Sequence, residues 1–299
     1  MRVPKMLHQM FGFWDKNEKM PPKYKNNHEL WKELNEPAGW TVKLWGPDES
    51  RKLIERKMPG FLETYDSYAN PVQRCDAARY FILHEHGGVY ADLDYVPNKS
   101  LDVMLEWIQR HRPHARILVN LSVNNPISGL RTFSNSLMFS EQGAPEWEIA
   151  WDQMIQRRDL YKSASKHYHV LATTGPMLMD AVWRRTERQT IGNGKTAAPM
   201  QTLPTAKFNP CGVCSHGGTC ASGAMAYHEN TGSWHGTGSH AINFCMCNWL
   251  YFFVVVPALI VMIVLGIAWN RSRRRLRREL EACRSERHGG KPVAQASLL

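Results

Sequence analysis

Short apolar segments alternate with stretches of helical periodicity through the first 240 or so residues of the chain. The segments with the length and alternation of β-strands are Met6–Phe13, Trp40–Trp45, Arg116–Leu121 and Ser136–Phe139. The stretches with helical features are His28–Leu34, Pro47–Lys57, Gly60–Ser67, Leu101–Arg112, Pro145–Arg158 and Gly175–Arg184. Strands that alternate with helices predict an α/β fold with a mainly parallel sheet and helices on both faces. The segment Arg188–Cys220 is rich in Gly, Pro, Thr and Asn and is predicted to be mostly loop.

One long apolar segment interrupts this alternation. Leu250–Trp269 contains no charged residue, and about 20 helical residues span the roughly 30 Å of a bilayer core. Aromatic residues stand at its ends, and an arginine-rich run, Arg271–Arg278, follows it. We therefore expect a folded domain over residues 1–240, a transmembrane helix over residues 250–269 and a disordered basic tail over residues 270–299.

The charge pattern bears on partners and on orientation. The chain has a formal net charge of +10, but much of the excess lies in Arg271–Arg278, which is typical of a membrane flank and not of a nucleic-acid-binding face. We therefore expect no nucleic-acid partner. The arginines predict a cytosolic tail and a lumenal domain. No secretory signal precedes the first strand, so an additional N-terminal segment, post-translational insertion or a cytosolic domain stay open alternatives.

Seven cysteines leave the redox compartment open. Cys211, Cys214 and Cys220 cluster in one loop, and with Cys245 and Cys247 they could form disulfides in an oxidising lumen. A zinc site that uses His216 is the alternative, and palmitoylation of Cys245 and Cys247 is another if the domain is cytosolic. The glycosylation sequons at Asn98 and Asn120 permit a lumenal location.

The strongest chemical signal lies in Pro71–Val96. Its pattern predicts a helix that ends at Gly87, a short apolar strand over Val89–Ala91, and two carboxylates, Asp92 and Asp94, directly after that strand. Ligands of open α/β sheets bind at the carboxyl ends of the strands. Two carboxylates there can approach one hard divalent cation and leave coordination positions for phosphate oxygens.

Asp76 and Arg79 are one turn apart on the preceding helix and share a face. They form either a surface ion pair or a pair of hydrogen-bonding groups directed at a ligand near the carboxylates. With them, the segment resembles the catalytic core of family 32 glycosyltransferases, R-x-D-x-x-R-Y-x-x-L-x-x-x-G-G-x-Y-x-D-x-D. The matching residues are Arg74, Asp76, Arg79, Tyr80, Leu83, Gly87, Gly88, Tyr90, Asp92 and Asp94.

The resemblance extends over roughly the first 240 residues. Further segments similar to the family are Pro4–Phe11, Trp40–Glu49, Thr173–Met179 and Ala226–Trp234. The family, whose members include fungal mannosyltransferases, implies a GT-A type nucleotide-sugar-binding, Rossmann-like domain. Here that domain would precede a C-terminal transmembrane helix.

The resemblance also implies roles for individual residues. Asp92 and Asp94 would be catalytic and would hold Mn²⁺ or Mg²⁺ together with His228. Asp76, Arg79 and Tyr90 would bind the donor sugar. Phe11, where the family commonly has Trp, would stack on the nucleobase, and Ser233 and Trp234 would bind the diphosphate.

The implied activity is metal-dependent transfer of a hexose with retention of configuration. The implied donor is GDP-mannose, and the acceptor is lipid or glycan, with inositol phosphorylceramide of sphingolipid biosynthesis as the favoured lipid. The implied location is the Golgi or another endomembrane. A galactosyl or N-acetylglucosaminyl donor stays open. The rival functions are a D-x-D phosphohydrolase, which lacks a downstream acidic pair, and a non-catalytic membrane adaptor.

Overall fold

The computed structural model describes residues 1–15, 17–121, 132–163, 165–192, 198–212, 223–232, 241, 244–245 and 247–288. It divides the chain into two units, Met1–Asn243 and Phe244–Leu299. The strands of the first unit are β1 (Met6–Met10), β2 (Thr41–Trp45), β3 (Gly88–Ala91), β4 (Tyr95–Pro97), β5 (Ile117–Leu121), β6 (Phe133–Ser140), β7 (Met200–Thr202) and β8 (Ala226–His228). Its α-helices are α1 (Pro22–Asn35), α2 (Pro47–Lys57), α3 (Leu62–Ser67), α4 (Pro71–His86), α5 (Leu101–His111), α6 (Glu146–Gln156), α7 (Lys166–Thr173), α8 (Pro176–Gly192) and α9 (Thr205–Phe208).

Six strands form the main sheet in the order β2-β1-β3-β6-β5-β7. β1 pairs in parallel with β2 and β3, β5 pairs in parallel with β7, and β6 runs antiparallel to β3 and β5. Five of the six strands therefore share one direction, and the expectation of a mainly parallel α/β sheet is confirmed. β4 and β8 form a separate antiparallel pair.

Apolar side chains cover both faces of the sheet. Neighbouring residues of β6 point to opposite faces, so that Met138 packs in one cluster and Phe139 in the other. The cluster around Met138 includes Phe81 of α4 and Trp151 of α6, whose rings stack with centroids 4.5 Å apart. The cluster around Phe139 includes residues of α1 and α5.

Helix α4 and strand β3 form the centre of this unit. A reciprocal pair of hydrogen bonds between Asn70 and Gln73 caps the start of α4. Eleven residues of α4 are buried, which explains why apolar residues occur on every side of it. The chain then turns through Gly88 at φ +91°, where a Cβ atom would overlap the carbonyl oxygen of Met6. Only glycine allows β3 to lie this close to β1.

The structure differs from the sequence prediction in several elements. β6 is eight residues long, although only Ser136–Phe139 was predicted, and α7 was not predicted. The predicted loop Arg188–Cys220 contains β7 and α9. Short strands and helices in turn-rich sequence carry little periodicity, so tertiary pairing decides them.

The second unit contains a π-helical turn, Tyr251–Val255, followed by a helix of 33 residues, α10 (Val256–His288). Its apolar part is exposed, and its length and hydropathy qualify Tyr251–Arg284 as one candidate membrane span among the described residues. The helix continues through the arginine run to His288, so residues 270–288 of the expected disordered tail are helical. These arginines follow an already formed helix and have good helix propensity.

Candidate active site

Asp92 lies directly after β3. Its N–H donates to the carbonyl of Ser136 over 2.8 Å, so the backbone keeps its pairing with β6 for one residue beyond the strand. A turn closed by Tyr95 N–H and Asp92 C=O then starts β4. The two carboxylates of the D-x-D segment are therefore fixed between two strands. The sequence predicted the first of these strands and the position of the carboxylates after it, but not β4.

The pairing of β4 with β8 brings the third group to this place. Tyr95 lies opposite His228 in the register, and Glu229 N–H donates to the carbonyl of Asp94 over 2.9 Å. His228 Nε2 then lies 2.9 Å from Asp94 Oδ1. Asp92, Asp94 and His228 each offer one ligand atom, and these atoms lie within 4.8 Å of one another.

The carboxylate oxygens have distinct partners. Tyr90 donates its hydroxyl to Oδ1 of Asp92 over 2.7 Å, and Arg79 Nη1 lies 3.2 Å from the same oxygen. Asp94 accepts the N–H and hydroxyl of Thr231 at Oδ2, over 3.1 and 2.7 Å. Oδ2 of Asp92 has no hydrogen-bond partner among the residues that the structure describes. Two carboxylates and an imidazole suit a hard or intermediate divalent cation, so this donor set fits one.

The charges of the three groups differ. Burial alone would raise the pKa of Asp94, but His228 and Thr231 hold it well below its usual range. Burial alone would lower the pKa of His228, but the charge and hydrogen bond of Asp94 raise it to about 9. Burial raises the pKa of Asp92; Arg79 opposes this rise, and the charge of Asp94 adds to it. Without a cation, His228 is therefore an imidazolium that neutralises Asp94.

Asp76 and Arg79 lie behind Asp92, and each is only 4% exposed. Arg79 Nη2 is 2.8 Å from Asp76 Oδ1, and Nη1 donates to the carbonyl of Asn135 over 2.7 Å. The guanidinium also lies 4.5 Å from the ring centre of Tyr90. The first sequence interpretation, a surface ion pair, is therefore wrong. The pair is buried at the site.

Two residues to which sequence analysis assigned no role complete this buried network. Asn135 donates its amide to Asp76 Oδ1 and to Tyr80 Oη, and Thr174 donates its hydroxyl to Asp76 Oδ2. Burial raises the pKa of Asp76 to about 6, against the effect of Arg79. Thr174 lies in the Thr173–Met179 segment that resembles the family, which was its only sequence signal. Asn135 had none.

The comparisons with known proteins agree with this geometry. Residues 21–112 match the family model described as the glycosyltransferase sugar-binding region containing DXD motif. This segment contains α4, β3 and both aspartates.

Curated relatives match a larger part of the chain. Mannosyl phosphorylinositol ceramide synthase SUR1 of Saccharomyces cerevisiae is 26% identical over 199 residues, which is 67% of this chain and 46% of the relative. Inositol phosphoceramide mannosyltransferase 3 of Schizosaccharomyces pombe is 30% identical over 188 residues, 60% of this chain and 45% of the relative. The chain thus spans less than half of the length of these relatives.

Solved structures of glycosyltransferases are also similar to this chain at low identity. Mouse xyloside xylosyltransferase 1 in its apo form has a TM-score of 0.46 at 11% identity, over 76% of this chain and 98% of the other. A glycosyltransferase that acts in glycosylation of the PBCV-1 major capsid has a TM-score of 0.41 at 14% identity, over 81% and 98% of the two chains.

Three predicted site residues remain, Phe11, Ser233 and Trp234. Phe11 directly follows β1, is half-buried and donates its N–H to the carbonyl of Trp45 over 3.0 Å. It therefore lies at the carboxyl end of β1, which is the edge of the sheet that carries Asp92. Ser233 and Trp234 lie outside the described residues.

A series of hydrogen bonds links Asp94 of the D-x-D segment to α1. The hydroxyl of Thr231 is shared between Asp94 and Tyr24, whose Oη lies 2.8 Å from Thr231 Oγ1. Since Thr231 donates to the carboxylate, it accepts from Tyr24. Asn27 of α1 adds bonds to the carbonyl of Leu93 and to Glu229. Sequence reasoning assigned no role to Tyr24 or to Thr231, although Thr231 lies in the Ala226–Trp234 segment that resembles the family. Contacts between distant polar residues leave no periodic pattern.

The structure also describes five of the cysteines and the asparagines of both sequons. Cys211 and Cys247 each take part in a disulfide, whereas Cys75, Cys245 and Cys283 are free. Asn120 is fully buried and donates its amide to Tyr95 Oη and Ser136 Oγ. The side chain of this sequon asparagine is therefore inaccessible in the folded chain. Asn98 is exposed.

Proposed function

We propose that the chain is a retaining, metal-dependent glycosyltransferase that moves mannose from GDP-mannose to a membrane-associated acceptor of the inositol phosphorylceramide class. The observation that carries this proposal is that Asp92 and Asp94, which lie in the segment that matches the DXD family model, converge with His228 of β8. The names of the curated relatives support mannose as the sugar and an inositol-containing sphingolipid as the acceptor.

Asp92, Asp94 and His228 would hold Mn²⁺ or Mg²⁺. Such a cation supplies Lewis-acid neutralisation of the leaving diphosphate. Asp92 would offer Oδ2, because Tyr90 and Arg79 occupy Oδ1 and fix the orientation of the carboxylate. His228 would release its Nε2 proton to become a ligand, while Asn230 keeps the ring in place through Nδ1, over 2.8 Å.

Asp76 and Arg79 would bind the hydroxyls of the donor sugar. Arg79 Nε is buried and has no hydrogen-bond partner in the described part of the chain, and a sugar hydroxyl would satisfy it. A guanidinium fixed by Asp76, Asn135 and Asp92 loses little further entropy when the donor binds. Phe11 would contribute a ring for the nucleobase, and Ser233 and Trp234 would bind the diphosphate.

The membrane association of the proposed acceptor agrees with α10. The helix has the length and the exposed apolar surface of a single membrane span, with arginines after its apolar part. We propose a single-pass protein of the Golgi or another endomembrane, with a lumenal catalytic domain and a cytosolic C-terminus.

The test uses the full chain in detergent micelles with inositol phosphorylceramide as acceptor. GDP-mannose, UDP-galactose and UDP-N-acetylglucosamine are supplied separately with Mn²⁺, and the nucleotide and the glycolipid product are both measured. We expect product from GDP-mannose, abolished by EDTA and by Asp94→Asn. Asp66→Asn, which alters an exposed carboxylate on α3, is the matched control and should keep full activity.

Product from a different donor would replace mannose and leave the transferase proposal standing. Full activity of Asp94→Asn, or activity that survives EDTA, would refute the metal site. Release of inorganic phosphate without any glycoside would support the phosphohydrolase alternative.

A further inference from the structure

A cavity of about 350 Å³, lined mostly by polar and charged residues, lies between the end of α3 and the connection from α6 to α7. This volume lies in the usual range of small-molecule sites. The residues of its wall that matter here are Glu63, Tyr68, Arg158, Asp159, Lys162 and His169. None of them belongs to the cation site or to the network behind it.

The charged groups of this wall neutralise one another. Arg158 lies 3.4 Å from Glu63 and 3.5 Å from Asp159, and Lys162 lies 2.9 Å from Asp159. Two cations and two carboxylates thus form a chain with no net charge. Such a wall offers hydrogen-bond donors and acceptors side by side, which suits a ring with several hydroxyl groups better than it suits an anion.

Helix α7 connects the cavity to the buried network behind Asp92. His169 lines the cavity, and its carbonyl accepts the hydroxyl of Thr173 over 2.7 Å. The next residue, Thr174, bonds to Asp76 over 3.1 Å. The same short helix therefore has the cavity near its start and the network behind Asp92 at its end.

Tyr68 is another residue of the cavity wall. It is 3% exposed, and its hydroxyl has no hydrogen-bond partner among the described residues. Burial raises the pKa of Tyr68; the charge of Asp76 of the active-site network raises it further, and Arg158 of the cavity opposes this. A buried hydroxyl without a partner is destabilising, so its presence beside a polar cavity points to a ligand.

The chain around the cavity also exposes aromatic rings. Tyr161 and Tyr168 adjoin lining residues in sequence, and their ring centres are 6.4 Å apart. Tyr161 adopts φ +59°, a left-handed conformation that is strained for a residue with a side chain. Exposed aromatic rings give sugar and cyclitol rings an apolar face to pack against.

We propose that this cavity binds a polyhydroxylated ring of the acceptor, a cyclitol or a sugar, beside the transfer site. The proposal rests on the transferase function proposed above. The wall would bind hydroxyl groups through its paired charges, and the Tyr68 hydroxyl would gain its missing partner from the ring.

The test compares Tyr68→Phe with Tyr65→Phe in the full chain. Tyr65 is a matched control, because it is 2% exposed, its hydroxyl also has no partner in the described residues, and it does not line the cavity. We expect Tyr68→Phe to raise the KM for acceptor about fivefold, the worth of one hydrogen bond, and to leave the KM for donor unchanged. Tyr65→Phe should change neither constant. Equal acceptor KM values in the two variants would overturn the proposal.

A direct binding experiment tests the cavity without relying on transferase activity. Saturation-transfer NMR is recorded with millimolar myo-inositol and, separately, with methyl α-mannoside. A signal from either ring that Tyr68→Phe weakens and Tyr65→Phe leaves unchanged supports the cavity, and the responding ring identifies the source as cyclitol or sugar. If wild type transfers no hexose at all, the proposed function fails. In that case an absent signal, or one that Tyr68→Phe leaves unchanged, overturns the cavity proposal as well.

Discussion

Asp94 and His228 are 134 positions apart in the sequence, and a hydrogen bond of 2.9 Å joins their side chains. The pairing of β4 with β8 produces this contact, and the chain from Tyr24 through Thr231 fixes the other oxygen of Asp94. The orientation of the Asp94 carboxylate therefore depends on the segment between β3 and β4, on β8 with Thr231, and on α1. Of these, only the end of β3 can be recognised from the local sequence.

Thr231→Val should weaken Mn²⁺ binding about tenfold, because Oδ2 of Asp94 loses its hydroxyl donor and the carboxylate gains rotational freedom. Tyr24→Phe removes only the next bond of the chain and should have a smaller effect in the same direction. Titration of Mn²⁺ followed by electron paramagnetic resonance measures both constants without an activity assay. Thr41→Val, at an exposed position of β2, is the control. An unchanged Mn²⁺ affinity in Thr231→Val would show that the hydrogen bonds from Tyr24 through Thr231 do not support the cation site.

Arg79→Ala should destabilise the fold by about 3–5 kcal/mol, because Asp76 loses its buried charge partner. The exposed pair of Arg51 and Asp66 provides the contrast, and Arg51→Ala should destabilise the fold much less, because solvent screens this pair. Urea unfolding followed by tryptophan fluorescence gives both values. Equal effects of the two substitutions would mean that the Asp76–Arg79 pair contributes no more than a surface ion pair.

The free energy of unfolding should decrease as the pH falls from 6.5 to about 4, and His8 should contribute up to about 3 kcal/mol of this change. Burial lowers the pKa of His8 to about 4 from 6.5, and His86 and Lys43 add to the effect, while the hydrogen bond to the Gly87 carbonyl opposes it. Below pH 6.5 the unfolded chain therefore binds a proton that the folded chain excludes.

Urea unfolding at several pH values measures this contribution as the difference between wild type and His8→Gln. The variant lacks the titrating ring, so its stability should depend less on pH over this range. Parallel curves for the two proteins would contradict the assignment.

Gly88→Ala should destabilise the protein by about 3 kcal/mol, because the new methyl group would overlap the carbonyl oxygen of Met6 at a positive φ. Gly60→Ala tests whether adding a methyl group to a glycine is harmful in general. Gly60 has open space around its Cβ position and no positive φ, so its substitution should change stability by less than about 1 kcal/mol. Thermal unfolding of the two variants separates these outcomes.

Local sequence was sufficient to predict α4, β3 and the two carboxylates. The glycine break, the buried apolar strand and the spacing of Asp92 and Asp94 are all properties of one short segment. The family resemblance added His228, which the structure places beside them.

The supporting residues were beyond local sequence. Asn135 bonds to Asp76 across 59 positions and Thr174 across 98, and single polar residues at such separations have no periodicity to reveal them. The same applies to β7, a strand of three residues whose identity depends on its pairing with β5. The helical state of residues 270–288 was missed because high charge suggested disorder, whereas arginine itself is a good helix former.

The buried amide of Asn120 has a consequence for how the chain matures. Oligosaccharyl transfer acts on extended polypeptide, and a glycan attached at Asn120 would prevent β5 from packing against Tyr95 and Ser136. In a compartment that glycosylates sequons, formation of this strand and modification of its asparagine are competing reactions. The fraction of chains that reach the native state would then depend on which of the two is faster.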